Sequence, residues 1–572
     1  MESQRQQAYI KLIEELLACP KGEEEKVISQ NKHLLDIDFL NILDDEAKKA
    51  ADSGNNFVAN LLLMMSDQLC EELNLTWERE SSQASSLGGG IATNLPVIKK
   101  ESLDTNLDTN PGTSKNIETK LILKFLLELL SKIAENNAQN TFVYPFLEKN
   151  LDQINADFIA VLDDWAAKNL TQLERDDAEA LSAVLVELGN LISQFPLGDR
   201  AINIEIAITA YEKALIVFNR EEFEQDWATT QNNLGSAYHH RILGSRADNL
   251  EKAIAAYQKA LSIITRIKYP LQWAATKQNL AAAYRSQTHG NQAENLEEAI
   301  TAYQVTLSVY TQEQYPQEWA LTQSYLGNMY YERIKGNCAE NLEKAIQYYT
   351  SSLLIITAGE FPKEWATAQN NLGNAYRNRV KGDRAENLEQ AIVAYQQALS
   401  IYTRTTFPKE WAMAQNNLGN AYRHRRKGNK AENMEQAISA YQATLQVILQ
   451  ENYPHLWAMT TNNLGNAYRD RVHGDKAENM EQAISAYQAT LQIINQNNFP
   501  QKWAMIQNNL GNAYRLRVKG KPTENIKNAT SAYQKALIVY TVDEFPQERE
   551  IIQRNLDIID SLKQKVKYST PV

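Results

Sequence analysis

Cysteine and histidine are scarce in this chain, which limits the sites that it can build. The 572 residues include three cysteines, and no two of them have the spacing of a metal or redox motif. The seven histidines fall at unrelated positions, and the adjacent His239 and His240 would point about 100° apart on a helix. The sequence therefore predicts no disulfide framework, no metal, no cofactor and a reducing compartment.

Positive charge and long apolar runs are also lacking. The chain has 58 basic and 70 acidic side chains, a net charge of −12 that disfavours nucleic acid as a partner. The first residues, "MESQRQQAYIKLIEELLACPKG", are charged where a signal peptide has an apolar run. The most apolar segment, "FVANLLLMM", is too short to cross a bilayer. These absences predict a cytoplasmic protein without a membrane partner.

A period of 46 residues runs through most of the chain. The octapeptide "NNLGNAYR" begins at Asn370, Asn416, Asn462 and Asn508. Tryptophan follows the same step at Trp227, Trp273, Trp319, Trp365, Trp411, Trp457 and Trp503, and the repeats are named below by these tryptophans. A fixed period of this size indicates stacked structural repeats.

Each repeat is predicted to form two helices. In the Trp365 repeat, Trp365, Leu372 and Tyr376 share one face of the first helix, so the tryptophans are predicted to be core residues. Gly382 is predicted to cap the end of this helix, because glycine accepts the left-handed conformation found there. Asn387 is predicted to be the N-cap of the second helix.

Two short patterns carry a resemblance to a known family. Leu372, Gly373 and Tyr376 form L-G-x2-Y, and the second helix has A-x3-Y-x2-A at Ala391, Tyr395 and Ala398. The unit thus resembles the tetratricopeptide repeat, and its extra length is similar to repeats of kinesin light chains and of cyanobacterial CHAT-associated proteins. HEAT and armadillo repeats have a similar period but lack the L-G-x2-Y pairing. The resemblance implies an all-α fold, a right-handed α-solenoid of helix-turn-helix repeats.

The chain divides into five predicted parts. Residues 1–80 and 117–175 are two related helical modules, which share the similar segments "DFLNILDDEAKKA" and "DFIAVLDDWAAKN". A Ser/Gly/Asn/Thr-rich flexible linker, 81–116, separates the two modules. Residues 176–545 form the solenoid of about eight repeats, the first of them degenerate. Residues 546–572 form a capping helix and tail, which a solenoid needs for solubility.

The face of each first helix opposite the tryptophan carries polar columns. An asparagine amide has two donors and an acceptor, which suit an extended peptide backbone, and arginine suits carboxylates. The resemblance implies that these positions line a concave peptide-binding groove. The predicted groove consists of Asn370, Asn374, Arg377, Asn416, Asn420, Arg423, Asn462, Asn466, Arg469, Asn508, Asn512 and Arg515. The alternative is that these asparagines bond neighbouring helices to each other and bind no ligand.

A second arginine column flanks the core face. Its members are predicted to pair with a glutamate of the next helix: Arg379, Arg425, Arg471 and Arg517.

The predicted function is that of a non-enzymatic protein-protein interaction scaffold. No Cys–His pair matches a hydrolase signature, and "SLGGGIATN" lacks the Lys-Ser/Thr of a phosphate loop. The resemblance implies a role in bacterial signalling, specifically cyanobacterial, or in protease regulation. The implied partner is an acidic protein segment or a CHAT-type protease. Two alternatives stay open: single-stranded nucleic-acid binding by the groove, which would call for stacking aromatics, and self-association of unlike solenoid ends.

Overall fold

The computed structural model describes residues 114–287 and 289–568, with scattered positions 5, 8–13, 31, 34, 39, 42 and 49. The predicted module 1–80 and linker 81–116 lie almost wholly outside the described residues. In the part of the chain that is described, every regular element is a helix. The α-helices are α1 Ser114–Glu135, α2 Asn140–Lys149, α3 Ala156–Gln172, α4 Arg175–Gln194, α5 Arg200–Ala214, α6 Glu224–His240, α7 Arg246–Leu261, α8 Pro270–Ser286, α9 Gln292–Thr306, α10 Pro316–Glu332, α11 Cys338–Ser352, α12 Pro362–Asn378, α13 Arg384–Ile401, α14 Pro408–His424, α15 Lys430–Val447, α16 Pro454–Asp470, α17 Lys476–Ile493, α18 Pro500–Leu516, α19 Pro522–Val539 and α20 Pro546–Tyr568.

The helices pack as hairpins in chain order. From α4 to α19, each even-numbered helix packs against the next helix to form a hairpin, and each hairpin packs against the following one. Helices α1 and α3 pack on α4 and α5 and share one apolar core with them. The predicted all-α solenoid of helical repeats is confirmed. Among the described helices, none is long and apolar enough to cross a membrane.

A glycine in the first helix lets the two helices of a hairpin approach closely. A Cβ atom on Gly373 would lie 2.7 Å from Cε1 of Tyr395, which is on the second helix of the same hairpin. Gly327, Gly419 and Gly511 meet Tyr349, Tyr441 and Tyr533 in the same way. These tyrosines are fully buried. The L-G pair of the repeat therefore provides the surface on which the core tyrosine lies.

The tryptophans lie at the edge of the core, so their prediction as core residues was wrong for most of them. All seven lie in the described part of the chain, and only Trp411 is buried, at 8% exposure. The other six are half-buried and pack against the apolar clusters from the side; Trp365, for example, lies beside the cluster that contains Tyr402. The reason is position: each tryptophan is in the first turn of its helix, at one end of the hairpin.

The turn inside each hairpin also differs from its prediction. The first helix ends at Asn378 with Arg379 as its C-cap, so Gly382 lies three residues beyond the cap. With φ +80°, Gly382 turns the chain directly into Asp383, whose side chain accepts a hydrogen bond from the backbone N–H of Glu386 at 2.8 Å. Asp383, not Asn387, is the N-cap of the second helix.

Asn387 closes the same turn from inside the second helix. It is only 2% exposed. Its Nδ2 donates to the carbonyl oxygen of Lys381 at 2.9 Å, and its Oδ1 accepts from Nη1 of Arg379 at 3.4 Å. The asparagine repeated every 46 residues therefore stabilises the turn through its side-chain hydrogen bonds.

The second arginine column forms ion pairs, as predicted, but with a different helix. Arg379 donates through Nε and Nη2 to both carboxylate oxygens of Glu343, at 2.8 and 2.7 Å. Glu343 lies in α11, the second helix of the preceding repeat, so the prediction of a glutamate in the next helix was wrong. The same two-pronged geometry recurs for Arg333–Glu297, Arg425–Glu389, Arg471–Glu435 and Arg517–Glu481.

These pairs predict a loss of stability in acid. Hydrogen bonds from arginine hold the pKa of Glu297, Glu343, Glu389, Glu435 and Glu481 below the usual value of 4.5. Because the folded-state pKa is the lower one, the stabilisation is complete above the unfolded-state value and disappears as pH falls through the folded-state values. We expect the thermal midpoint, followed by circular dichroism, to fall as pH is lowered below 4.5. A variant with all five glutamates changed to glutamine should show a shallower fall, and an equal fall in both proteins would contradict the assignment.

Candidate functional site

The first helices of neighbouring repeats lie side by side along most of the array. Direct contacts join α4 to α6, α6 to α8, α10 to α12, α12 to α14, α14 to α16, α16 to α18 and α18 to α20. In the described part of the chain, the second helices of neighbouring repeats are in weaker contact or none. The predicted groove residues are all on first helices, and the surface that these helices share is called the first-helix face below.

The first asparagine column joins successive repeats. The side-chain oxygen of Asn370 accepts a hydrogen bond from Nδ2 of Asn417, 47 residues later, at 3.2 Å. The same bond recurs from Asn279 to Asn232, from Asn463 to Asn416 and from Asn509 to Asn462, at 3.2, 3.1 and 3.3 Å. For this column the structure favours the alternative of bonding between repeats. Asn462, at 2% exposure, has almost no surface to offer a ligand.

The second asparagine column is held by the core tyrosines. The hydroxyl of Tyr395 donates to Oδ1 of Asn374 at 2.8 Å. The Tyr395 hydroxyl is protonated at neutral pH and can donate, and burial raises its pKa further above the ordinary value. The bond recurs from Tyr441 to Asn420, from Tyr487 to Asn466 and from Tyr533 to Asn512, each at 2.9 Å.

These bonds use the oxygen of each amide and leave its nitrogen available. Within the described residues, Nδ2 of Asn374, Asn420, Asn466 and Asn512 has no hydrogen-bond partner. Asn374, Asn420 and Asn512 are half-buried, whereas Asn466 is buried. The first-helix face thus presents a row of oriented N–H donors at a constant position in the repeat.

The arginine column lies beside these donors and is partly neutralised by acids of the protein. Arg469 donates to both carboxylate oxygens of Asp470 at 2.9 and 3.0 Å, and Nη1 of Arg423 lies 3.7 Å from the same carboxylate. Arg515 lies beside the buried hydroxyl of Tyr533, whose pKa is raised by burial. Arg377 has no acidic partner in the described part of the chain, so its charge is available to a ligand.

One cavity was missed by the sequence analysis. An open cavity of about 650 Å³ lies between the Trp319 and Trp365 repeats. It is lined by Tyr331, Cys338, Leu342, Arg377, Asn378, Arg379, Val380 and Arg384. Sequence reasoning placed only Arg377 at a site; it treated Arg379 as structural and did not single out Arg384. Among the described residues, no three His, Cys, Asp or Glu side chains are placed to hold a metal ion.

Comparison with known proteins identifies the repeat. The tetratricopeptide repeat family model matches residues 227–263, 365–405 and 411–447. Each matched segment begins at a tryptophan and covers both helices of a hairpin, so these three repeats are tetratricopeptide repeats. No curated protein sequence matches the chain. Tetratricopeptide arrays are an architecture of protein-protein interaction scaffolds.

Two solved structures have detectable similarity to the chain. The crystal structure of the APC/C hetero-tetramer Cut9–Hcn1 is 14% identical, covering 79% of this chain and 93% of that chain with a TM-score of 0.31. The crystal structure of the P58(IPK) TPR domain is 13% identical, covering 78% of this chain and 99% of that chain with a TM-score of 0.23. Superpositions this poor do not bear on the shape or function of the chain.

Proposed function

We propose that the chain is a non-enzymatic scaffold that holds an extended segment of a partner protein on its first-helix face. The observation that carries the proposal is the row of amide nitrogens on Asn374, Asn420 and Asn512. A core tyrosine fixes the oxygen of each amide and so orients its nitrogen before any ligand arrives. Donors that are oriented in advance lose little entropy on binding, which favours affinity.

The expected affinity is moderate. Each net hydrogen bond contributes about 0.5–1.5 kcal/mol, and bonds to charged groups about 1.5–3 kcal/mol. Three or four amide donors and the neighbouring guanidinium groups, less the cost of ordering a flexible segment, correspond to a dissociation constant on the order of micromolar. The arginines favour acidic residues in the bound segment.

The biological setting is proposed from the sequence resemblance. It is cytoplasmic and bacterial, specifically cyanobacterial signalling or protease regulation, with a CHAT-type protease as a partner that carries the bound segment. In this proposal the modules at residues 1–80 and 117–175 bind a further component. The solenoid at 176–545 and the cap at 546–572 present the first-helix face.

The proposal predicts that removing three N–H donors abolishes capture of the partner. Aspartate at Asn374, Asn420 and Asn512 keeps an oxygen for the tyrosine hydroxyl but replaces the amide donor with an acceptor. We expect this triple variant, used as bait in a lysate of the source cells, to lose a partner that the parent captures. The purified partner should then bind the variant at least about tenfold more weakly, since more than one hydrogen bond is lost.

A matched control separates the removal of donors from the addition of negative charge. Ser439→Asp, Ser485→Asp and Ser531→Asp add the same charge at exposed positions of the second helices. The control should capture the partner as the parent does. Equal capture by the parent, the asparagine variant and the control would refute the first-helix face as the binding site.

A further inference from the structure

A cluster of arginines without acidic partners lies where the Trp365 and Trp411 repeats meet. Arg377 is near the end of α12, Arg384 begins α13, and Arg426 follows α14. In the part of the chain that the structure describes, none of these three guanidinium groups forms an ion pair with a carboxylate. The only hydrogen bond within the cluster runs from Nη1 of Arg384 to the backbone carbonyl of Arg377.

The cluster departs from the pattern of the other repeats. Two members of the first arginine column have an acid 47 positions later: Glu332 binds Arg285 at 2.6 and 3.0 Å, and Asp470 pairs with Arg423. For Arg377 the matching residue is His424. Arg426 is also an exception, because five other repeats have an exposed isoleucine or valine at its position: Ile242, Ile334, Val380, Val472 and Val518. This region thus lacks the acid that pairs with Arg285 and Arg423, and it has a base where five other repeats have an exposed apolar side chain.

The acids around the cluster have other partners. Glu343 binds Arg379, Glu386 forms an ion pair with Lys427, and Asp383 accepts the N–H at the start of α13. Burial, and then the charges of Arg426 and Arg377, lower the pKa of Arg384. Like charges gathered without a counter-charge destabilise the fold. A bound anion would remove this cost.

The open cavity between the Trp319 and Trp365 repeats provides the space for an anion. Arg377, Arg379 and Arg384 line its wall, with Tyr331 and Asn378 as further polar groups. The first residues of α11 and α13, Cys338 and Arg384, line it together with the last residues of α12, Arg377 and Asn378. The volume of about 650 Å³ holds a phosphate group with part of the chain that carries it.

We propose that this cavity binds a doubly charged phosphate group on a phosphorylated side chain of the partner segment. The inference rests on the proposed function, since Arg377 belongs to the first-helix face on which that segment lies. Guanidinium groups bind phosphate oxygens in pairs, and a phosphorylated side chain supplies nearly two negative charges and three acceptor oxygens. A carboxylate supplies one charge and two oxygens, and leaves Arg377 and Arg384 less compensated.

The test uses inorganic phosphate and two short peptides. One peptide has phosphoserine between pairs of alanines, and the other has glutamate at the same place. Calorimetry at constant ionic strength should show saturable binding of phosphate and of the phosphoserine peptide to the parent chain. The glutamate peptide should bind at least about tenfold more weakly, because charge-assisted hydrogen bonds are lost.

Two variants locate the site. Arg377→Gln with Arg384→Gln should weaken binding of phosphate and of the phosphoserine peptide at least about tenfold. Arg285→Gln, which removes an arginine that already has an acidic partner, should leave both affinities unchanged. Circular dichroism confirms that both variants remain folded.

Four outcomes would overturn the inference, and three of them come from the binding measurements and the control variant. These three are no saturable phosphate binding, equal affinities of the glutamate and phosphoserine peptides, and an equal loss of binding in the Arg285→Gln control. Binding of phosphate without binding of the phosphoserine peptide would also overturn it, because the cavity would then take a free ion. Failure of the proposed function is distinguishable, since it appears as unchanged partner capture by the asparagine variant, whatever the phosphate result.

Discussion

Replacing Tyr441 by alanine is expected to lower the free energy of unfolding by about 3–5 kcal/mol, as loss of a large buried aromatic side chain does. Tyr441 is 0% exposed, lies against Gly419 and donates its hydroxyl hydrogen to Oδ1 of Asn420 at 2.9 Å. Tyr441→Phe keeps the ring and should cost only about 1 kcal/mol, the value of one hydrogen bond. The difference between the two variants measures ring packing separately from the hydroxyl.

The measurement must be local because the array is quasi-one-dimensional. Each repeat contacts mainly its neighbours, so a weakened repeat can open without unfolding the whole chain. Amide hydrogen exchange in α14 and α15 should therefore accelerate strongly in Tyr441→Ala and slightly in Tyr441→Phe. Equal acceleration in the two variants would show that packing of the ring is not the main source of stability.

A substitution at Gly419, which contacts the ring of Tyr441, tests the same packing from the other helix. A Cβ atom at Gly419 would lie 2.8 Å from Cε1 of Tyr441, so Gly419→Ala should destabilise the hairpin by about 1–3 kcal/mol through overpacking. In an exposed helix interior, alanine is more stable than glycine by roughly 1 kcal/mol. The cost of overpacking is expected to exceed this gain. Gly359→Ala is the control, because its Cβ would meet no atom within 4 Å. A neutral or stabilising Gly419→Ala would contradict the close approach.

The second large effect is expected at Trp411, the buried member of the tryptophan column. Trp411 packs in a cluster with Tyr402 and Ile448, and the guanidinium of Arg404 lies 4.6 Å from the centre of its ring. Trp411→Ala should cost about 3–5 kcal/mol. Trp457→Ala should cost clearly less, because that side chain is half-buried. Amide hydrogen exchange in α14 for the first variant and in α16 for the second compares the two costs locally, and equal acceleration would contradict the difference in burial.

The period of the sequence was enough to predict the hairpins but not the contacts of individual polar residues. Leu372 is buried on the predicted face, and α12 and α13 occur where the pattern requires them. Asn387 was misassigned because the cap rule uses residue type, whereas the glycine turn brings Asp383 to the cap position. The turn geometry, which the pattern does not contain, decided between two suitable residues.

The polar columns show the same limit. Asn370 and Asn374 are one helical turn apart, and sequence reasoning gave both the same role. The offset between stacked repeats brings Asn417 to Asn370, whereas the hairpin brings Tyr395 to Asn374. Only the packed structure shows that the Asn370 amide forms a hydrogen bond between repeats, whereas the Asn374 amide retains an N–H donor.

The most direct test of the account compares Asn417→Ala with Asn420→Asp for stability and for binding of the captured partner segment. Asn417→Ala removes a bond between repeats, so it should lower the unfolding free energy by about 1 kcal/mol and leave affinity unchanged. Asn420→Asp keeps an oxygen for Tyr441 but removes an N–H donor, so it should leave stability nearly unchanged and weaken binding. Unchanged affinity in Asn420→Asp, or an equal loss of affinity in both variants, would contradict the division of the repeated asparagines into structural and ligand-binding members.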